Sequence, residues 1–76
     1  MITPEQKDLL KKSGNQLRIL RTERRLSQKQ LAFELGVSRA QYQNMESGKA
    51  NFGILYLYKL AEVLEVEPND LLVKTE

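Results

Sequence analysis

The side chains that most often perform catalysis or hold metal ions are missing from this sequence. It contains no histidine and no cysteine, which excludes disulfides, thiolate and imidazole metal sites, and every arrangement that pairs a nucleophile with His. Catalysis would then need paired carboxylates, and the ten acidic residues are scattered at positions typical of a surface. We therefore expect no enzymatic activity, no cofactor, no metal ion and no small-molecule ligand.

Charge is distributed unevenly along the 76 residues. Residues 1–49 hold ten Lys and Arg against five Asp and Glu, whereas residues 50–76 hold two against five. A basic half on a small domain favours a polyanionic partner, although a solvated surface of uneven charge would give the same counts. No segment has the length of a membrane span or the apolar run of a signal peptide. We therefore expect a cytoplasmic protein without a membrane partner.

Apolar residues recur at intervals of three and four, which is the period of amphipathic helices, and no stretch alternates like a strand. The pattern predicts an all-α protein with short connections. The segment TPEQ at residues 3–6 combines a cap residue with proline at the first helical position, and the short helix that it begins should end near Gly14. We therefore divide the chain into an N-terminal helical extension, residues 1–14, and a five-helix domain, residues 15–76. The five helices are predicted at about residues 15–25, 27–36, 38–47, 53–65 and from residue 68.

The pattern Ser-x-x-Gln occurs twice, eleven residues apart, and each copy predicts a capped helix start. In each copy we interpret the glutamine, Gln30 or Gln41, as the partner of the capping serine. Gly36 lies between the copies and should end the first helix, because glycine adopts the left-handed conformation at little cost. Two short helices joined by such a turn form a helix-turn-helix, whose second helix can enter the major groove of DNA.

Three segments of the chain show a resemblance to a known family. They are LRILRTERRLSQKQLA from residue 17, GVSRAQYQNMESGKAN from residue 36 and LYKLAEVLEVEPNDLL from residue 57. Together they resemble the phage-repressor and Cro-like helix-turn-helix family of bacterial DNA-binding regulators. Within that family, the small size and the added first helix are most similar to the controller proteins of restriction–modification systems. The resemblance implies a lambda-repressor-like fold and a transcriptional regulator that binds double-stranded DNA as a homodimer on a palindromic operator.

The resemblance also implies which residues contact DNA. In this family the outward face of the recognition helix, here about residues 38–47, contacts bases. The chemistry of that face agrees, because Arg pairs with the acceptors of guanine and Asn or Gln with the donor and acceptor of adenine. The base contacts implied are Arg39, Ala40, Gln43 and Asn44, and the phosphate contacts are Gln28, Lys49 and Asn51.

Two further residues, Arg21 and Glu46, stand at positions where the family has a partly buried ion pair. We interpret this pair as structural, because it would position the recognition helix. Tyr42 replaces the family's usual aliphatic residue. Its hydroxyl is expected to reach a hydrogen-bond partner or solvent.

The stretch at residues 54–58 carries more apolar surface than one buried helix face needs. Because the C-terminal apolar residues lie nearby in the family's fold, we interpret the surplus as a dimer surface, although a role in the core alone remains an alternative. The surface comprises Leu55, Tyr56, Tyr58, Leu72 and Val73. A second hypothesis takes the fold as a protein-interaction or antitoxin-type module whose main partner is another protein.

Overall fold

The computed structural model describes residues 2–72, and within that range the chain is all helical. The all-α prediction is therefore confirmed. None of the helices in the described range has the length and apolar character needed to cross a membrane. The elements are α1 (Pro4–Glu23), α2 (Gln28–Leu35), α3 (Arg39–Ser47), α4 (Ile54–Leu64) and a final 3₁₀ turn (Pro68–Leu71).

Local hydrogen bonds fix where the first three helices begin. Thr3, Ser27 and Ser38 each accept from the backbone N–H three residues later, and the glutamine there returns a bond to the cap's own N–H. The predicted roles of Gln30 and Gln41 are therefore confirmed, with bonds of 2.7 to 3.0 Å. A cap of this kind contributes about 1 kcal/mol, which matters for helices as short as α2 and α3.

Glycines end both helices of the predicted helix-turn-helix. Gly36 closes α2 with a φ of 71° and Gly48 closes α3 with a φ of 81°. Both values lie in the left-handed region that side chains with a Cβ rarely adopt. The turn between α2 and α3 is therefore as short as the sequence predicted.

The predicted break at Gly14 is wrong, because α1 runs without interruption through this residue. The two helices expected at residues 3–12 and 15–25 are one helix, so the boundary that we placed at residue 14 falls inside it. The last predicted helix is also reduced, to one 3₁₀ turn. Residues 2–72 therefore hold fewer helices than the extension and five-helix domain predicted, although the fold class is unchanged.

Gly14 serves a close helix contact instead of a helix end. It is buried where α1 crosses α3, and a Cβ at this position would lie 2.7 Å from the carbonyl oxygen of Met45. On the other side of the crossing, a Cβ at Gly48 would lie 2.8 Å from the backbone of Lys11. The two helices therefore meet backbone to backbone, and the glycines set how closely α3 lies against α1.

The apolar faces of all the helices meet in one core. Tyr42 of α3 is fully buried among leucines from every other element. The buried residues are Leu17, Leu31, Ala32, Leu35, Tyr42, Met45, Leu60, Ala61, Leu64 and Leu71. Val37, in the turn between α2 and α3, packs against this core. The inner side of the helix-turn-helix is thus fixed to the rest of the domain.

Replacing Gly14 with alanine tests the close crossing. Alanine favours a helix over glycine by about 1 kcal/mol, but the added Cβ would press on backbone atoms that no rotamer can move, and such overpacking costs about 1–3 kcal/mol. We expect Gly14→Ala to lower the free energy of unfolding by up to about 2 kcal/mol, which is the cost of overpacking less the gain in helix propensity, measured by urea denaturation.

Asn15→Ala is the matched control, since Asn15 is the exposed neighbour of Gly14 on the same helix. It should leave the free energy of unfolding unchanged or slightly raised. Equal stabilisation by both substitutions would contradict the close crossing.

Candidate nucleic-acid interface

The outward face of α3 gathers the four residues predicted to contact bases. Arg39, Ala40, Gln43 and Asn44 are all exposed, while Tyr42 and Met45 on the opposite side of the helix are buried. This separation follows from the helical period, because residues three and four apart share a face. The helix therefore presents one charged and two amide side chains to solvent on a fixed support.

The three residues predicted to contact phosphates lie around this face. Gln28 is half buried at the first position of α2, and Lys49 is exposed directly after the end of α3, where its N–H donates to the Asn44 carbonyl at 2.9 Å. Asn51 is exposed and lines, with Asn44, a shallow groove of about 180 Å³. Within residues 2–72, no group of acidic side chains is placed to hold a metal ion.

Arg21 and Glu46, the pair expected to position the recognition helix, are in contact. Two guanidinium nitrogens of Arg21 donate to the two carboxylate oxygens of Glu46, at 2.5 and 3.3 Å. A third nitrogen donates to the Leu26 carbonyl at 2.7 Å. The side chains are only 12% and 5% exposed, so the pair is largely shielded from solvent and joins α1 to α3.

The surroundings of this ion pair keep both partners charged. Burial by itself raises the pKa of Glu46, but the hydrogen bonds from Arg21, with smaller effects of the Tyr42 hydroxyl and the Gln28 amide, lower it below the ordinary 4.5. The hydrogen bond to Glu46 raises the pKa of Arg21 against the opposing effect of burial. Glu46 is therefore a carboxylate that can only accept hydrogen bonds.

We expected the Tyr42 hydroxyl to reach a hydrogen-bond partner or solvent, and this expectation is wrong. The side chain is fully buried, and the hydroxyl has no hydrogen-bond partner among the residues that the structure describes. It lies near enough to Glu46 for the carboxylate to affect its pKa, but not in a geometry that forms a hydrogen bond; burial is the largest cause of its raised pKa. The ring is held by packing in the core, and the hydroxyl is carried along with it.

Gln28 takes part in a contact that the sequence did not indicate. Its amide nitrogen donates to Glu46 at 3.1 Å, and its amide oxygen accepts from the amide nitrogen of Gln43 at 3.2 Å. The ion pair is thereby connected to the outward face of α3. No sequence signal identifies this connection, because Gln28 and Gln43 lie on different helices and are 15 residues apart.

The residues predicted as a dimer surface are exposed but do not line one common groove. Leu55 is 76% exposed, and with Tyr56 it lines a groove of about 580 Å³ beside the end of α2. Leu72 is 50% exposed and lines a different groove, beside the first half of α1. Tyr58 is exposed on α4, and Val73 lies outside the described residues. Phe33 of α2, which the sequence pattern did not indicate as a surface residue, is 82% exposed.

Removing the charge of Glu46 tests the ion pair. Breaking a buried pair by removing one partner typically costs 3–5 kcal/mol, and glutamine retains an acceptor, so we expect Glu46→Gln to lower the free energy of unfolding by about 3 kcal/mol near neutral pH. The pKa of Glu46 is lowered in the folded protein, so its stabilisation is complete above about pH 4.5 and is lost as the pH falls through the lowered value. The difference between the two proteins should therefore shrink in acid, as followed by urea denaturation across pH.

Glu62→Gln, an equivalent change at an exposed residue of α4, should change the free energy of unfolding by less than about 0.5 kcal/mol. A Glu46→Gln protein as stable as this control would show that the ion pair contributes nothing.

Solved structures of known helix-turn-helix regulators have a fold similar to that of this chain. A solved structure of the restriction-modification controller protein C.AhdI from Aeromonas hydrophila is 42% identical in sequence, with a TM-score of 0.76 over 84% of this chain and 96% of that one. An HTH_3 family transcriptional regulator from Vibrio cholerae is 32% identical, with a TM-score of 0.76 over 87% of this chain. The match spans only 37% of the Vibrio protein.

A hypothetical transcription factor from Neisseria, NHTF, is 25% identical, with a TM-score of 0.79 over 96% of this chain and 87% of that one. No curated protein matches the chain. The sequence from residue 17 to residue 71, which includes both helices of the motif and the core around them, matches the helix-turn-helix family HTH_3. The chain therefore belongs to this helix-turn-helix family of DNA-binding regulators.

Proposed function

We propose that the protein is a sequence-specific transcriptional regulator that binds double-stranded DNA as a homodimer on a palindromic operator. The observation that carries this proposal is the exposed polar face of α3, whose opposite side is buried and joined to α1 by an ion pair. A helix supported in this way can enter the major groove without losing its place in the domain. The family to which the chain belongs supports the same conclusion.

Each side chain on the face has a base edge that suits it. Arg39 can donate to both acceptors of guanine, and the amides of Gln43 and Asn44 can each bridge the donor and acceptor of adenine. Ala40 is small enough to lie against a thymine methyl group. Each matched pair supplies about 1–3 kcal/mol of discrimination, so three polar contacts are enough to define part of a half-site.

The surrounding residues would supply affinity that does not depend on sequence. Lys49 adds a positive charge at the end of α3, and Asn51 adds an amide in the loop that follows. One N–H of Gln28 is used by Glu46, which leaves the other free for a phosphate oxygen. Such contacts fix the register of a protein on the duplex and make its binding sensitive to salt.

Size and exposed apolar surface support a homodimer. One recognition helix reads few base pairs, whereas a two-fold dimer reads two half-sites about 34 Å apart. The domain measures 31 × 24 × 20 Å between its Cα extremes, so two copies side by side match that spacing. The exposed apolar residues of α4, with Leu55 the most exposed, offer a surface for the second copy.

The similarity to a restriction-modification controller protein supports a narrower form of the proposal. We infer that this chain also works as a small controller-type regulator, with α3 as its recognition helix. The comparison covers nearly all of that protein's length.

Selection from a random duplex library near physiological salt tests the DNA-binding proposal. We expect a two-fold symmetric site to be enriched, because specific contacts persist where purely electrostatic binding weakens. Arg39→Ala and Asn44→Ala should each reduce affinity of the dimer for that site by about 30-fold or more, because a contact of about 1–3 kcal/mol is lost in each of the two half-sites. Fluorescence anisotropy with the selected duplex measures the loss.

Asn69→Ala provides the matched control, because Asn69 is an exposed amide on the 3₁₀ turn instead of on α3. It should bind like the unaltered protein. If Arg39→Ala and Asn44→Ala leave affinity and base preference unchanged in a folded protein, the assignment of α3 as recognition helix is wrong.

The exposed apolar residues also favour a second candidate, a protein-interaction or antitoxin-type module whose main partner is another protein. Ile54, Leu55 and Tyr56 are exposed and line one groove, and contiguous apolar surface of this kind marks protein contacts. A folded protein that selects no DNA site would favour this candidate over the regulator.

Charging the exposed face of α4 tests the dimer. Leu55→Glu places a carboxylate where the second copy is expected to pack, and because Leu55 makes little contact with its own domain, the fold should survive. We expect sedimentation of the DNA-free protein to shift from dimer to monomer, with an unchanged circular dichroism spectrum.

Phe33→Glu is the comparison, since Phe33 is equally apolar and exposed but lies on α2. It should leave the dimer intact. Dissociation by Phe33→Glu alone would move the interface away from α4.

A further inference from the structure

A chain of three polar side chains runs from the interior of the domain to the recognition face. It begins at Glu46, whose side chain is only 5% exposed and is held by Arg21. It continues through the amide of Gln28, 3.1 Å from the Glu46 carboxylate, and ends at Gln43, whose amide nitrogen lies 3.2 Å from the Gln28 oxygen. Gln43 is exposed on α3. The buried carboxylate of Glu46 is therefore connected by hydrogen bonds to a side chain on the protein surface.

The direction of every bond in this chain follows from the charge of Glu46. A carboxylate can only accept hydrogen bonds, so Gln28 must turn its NH₂ group toward it. The oxygen of Gln28 then faces away from Glu46, and it can only be satisfied by a donor. Gln43 must therefore offer an N–H to Gln28, as the structure shows. Neither glutamine can flip without losing a hydrogen bond.

We propose that Gln28 is a positioning residue through which the buried carboxylate of Glu46 fixes the amide of Gln43 in the orientation that reads adenine. This inference rests on the proposed function. Gln43 uses one N–H within the protein, which leaves its oxygen and its second N–H for a base pair. These two groups match the amino group and N7 of adenine. A glutamine free to flip would also offer its NH₂ group to guanine, and fixing it only on binding would cost rotamer freedom.

The orientation is measurable without DNA. Side-chain amide NMR of the free protein should show Gln43 shifted from the position of a solvated glutamine. Gln28→Met, which keeps the length of the side chain but neither donates nor accepts as an amide does, should return the Gln43 resonance to that position. A Gln43 resonance at the solvated position in the unaltered protein would overturn the fixed orientation, whatever the DNA experiments give.

The second measurement is the base preference of each variant, determined by selection from the random duplex library. Gln28→Met should reduce the preference for adenine about 10-fold at the one base pair per half-site that Gln43 reads, and leave the other positions unchanged. In a Gln43→Met background, the same substitution should no longer alter any base preference. This dependence distinguishes positioning through Gln43 from a general loss of structure.

Gln28→Lys makes the sharpest test, because it reverses the direction of the chain. An ammonium group only donates, so it can bond Glu46 and then the oxygen of Gln43, which turns the Gln43 NH₂ group toward the DNA. The preference at that base pair should move from adenine to guanine, whose groove edge carries two acceptors. The added charge raises affinity at every site equally, so the ratio between bases is the measurement.

The outcomes separate this inference from the function on which it rests. A uniform loss at all sequences in Gln28→Met, with no change of base preference, would mean that Gln28 only contacts a phosphate, and it would overturn the positioning role. Failure of the unaltered protein to select any site would overturn the proposed function and the reading of adenine together, while the NMR result still reports the orientation itself. A switch from adenine to guanine in Gln28→Lys would establish both.

Discussion

The contact between Arg21 and Glu46 is the interaction on which the placement of α3, the proposed recognition helix, depends. It joins the long first helix to the end of α3 at a site where water is largely excluded. A pair in such a place is costly to desolvate, so its value lies less in net stability than in allowing only one arrangement of the two helices. Because Arg21 also holds the Leu26 carbonyl, the same guanidinium sets the path of the chain into α2.

Other features of the fold also hold α3 in place. Serine caps and left-handed glycines set the ends of α2 and α3, and the buried Tyr42 fills the space beneath them. Arg24 pairs with Glu65, at 2.6 Å, and so ties the end of α1 to the end of α4. The exposed face of α3 is therefore backed by α1 and α2, while its own side chains remain free of packing.

Sequence reasoning succeeded where the cause of a feature is local. The capping boxes at Ser27 and Ser38 lie within four residues of chain, and the structure has both. It failed at Gly14, because the reason for that glycine is the backbone of α3 about thirty residues away. The link between Gln28 and Gln43 was invisible for the same reason, since it depends on how two helices pack. The arginine and glutamate of the ion pair were found only because a family resemblance supplied the distant information.

The backbone contact at Gly14 and Gly48 has a consequence for how the sequence can change over time. Side chains that meet in a core can be exchanged for others of similar total volume, so most of this domain can drift by compensating substitutions. A crossing made of main-chain atoms offers no such exchange, because Gly14 and Gly48 each face backbone atoms of the other helix, and no smaller residue there can remove those atoms. Variation is thus expected to accumulate among the exposed residues of α3, the proposed recognition helix, while the angle at which that helix is presented stays constant.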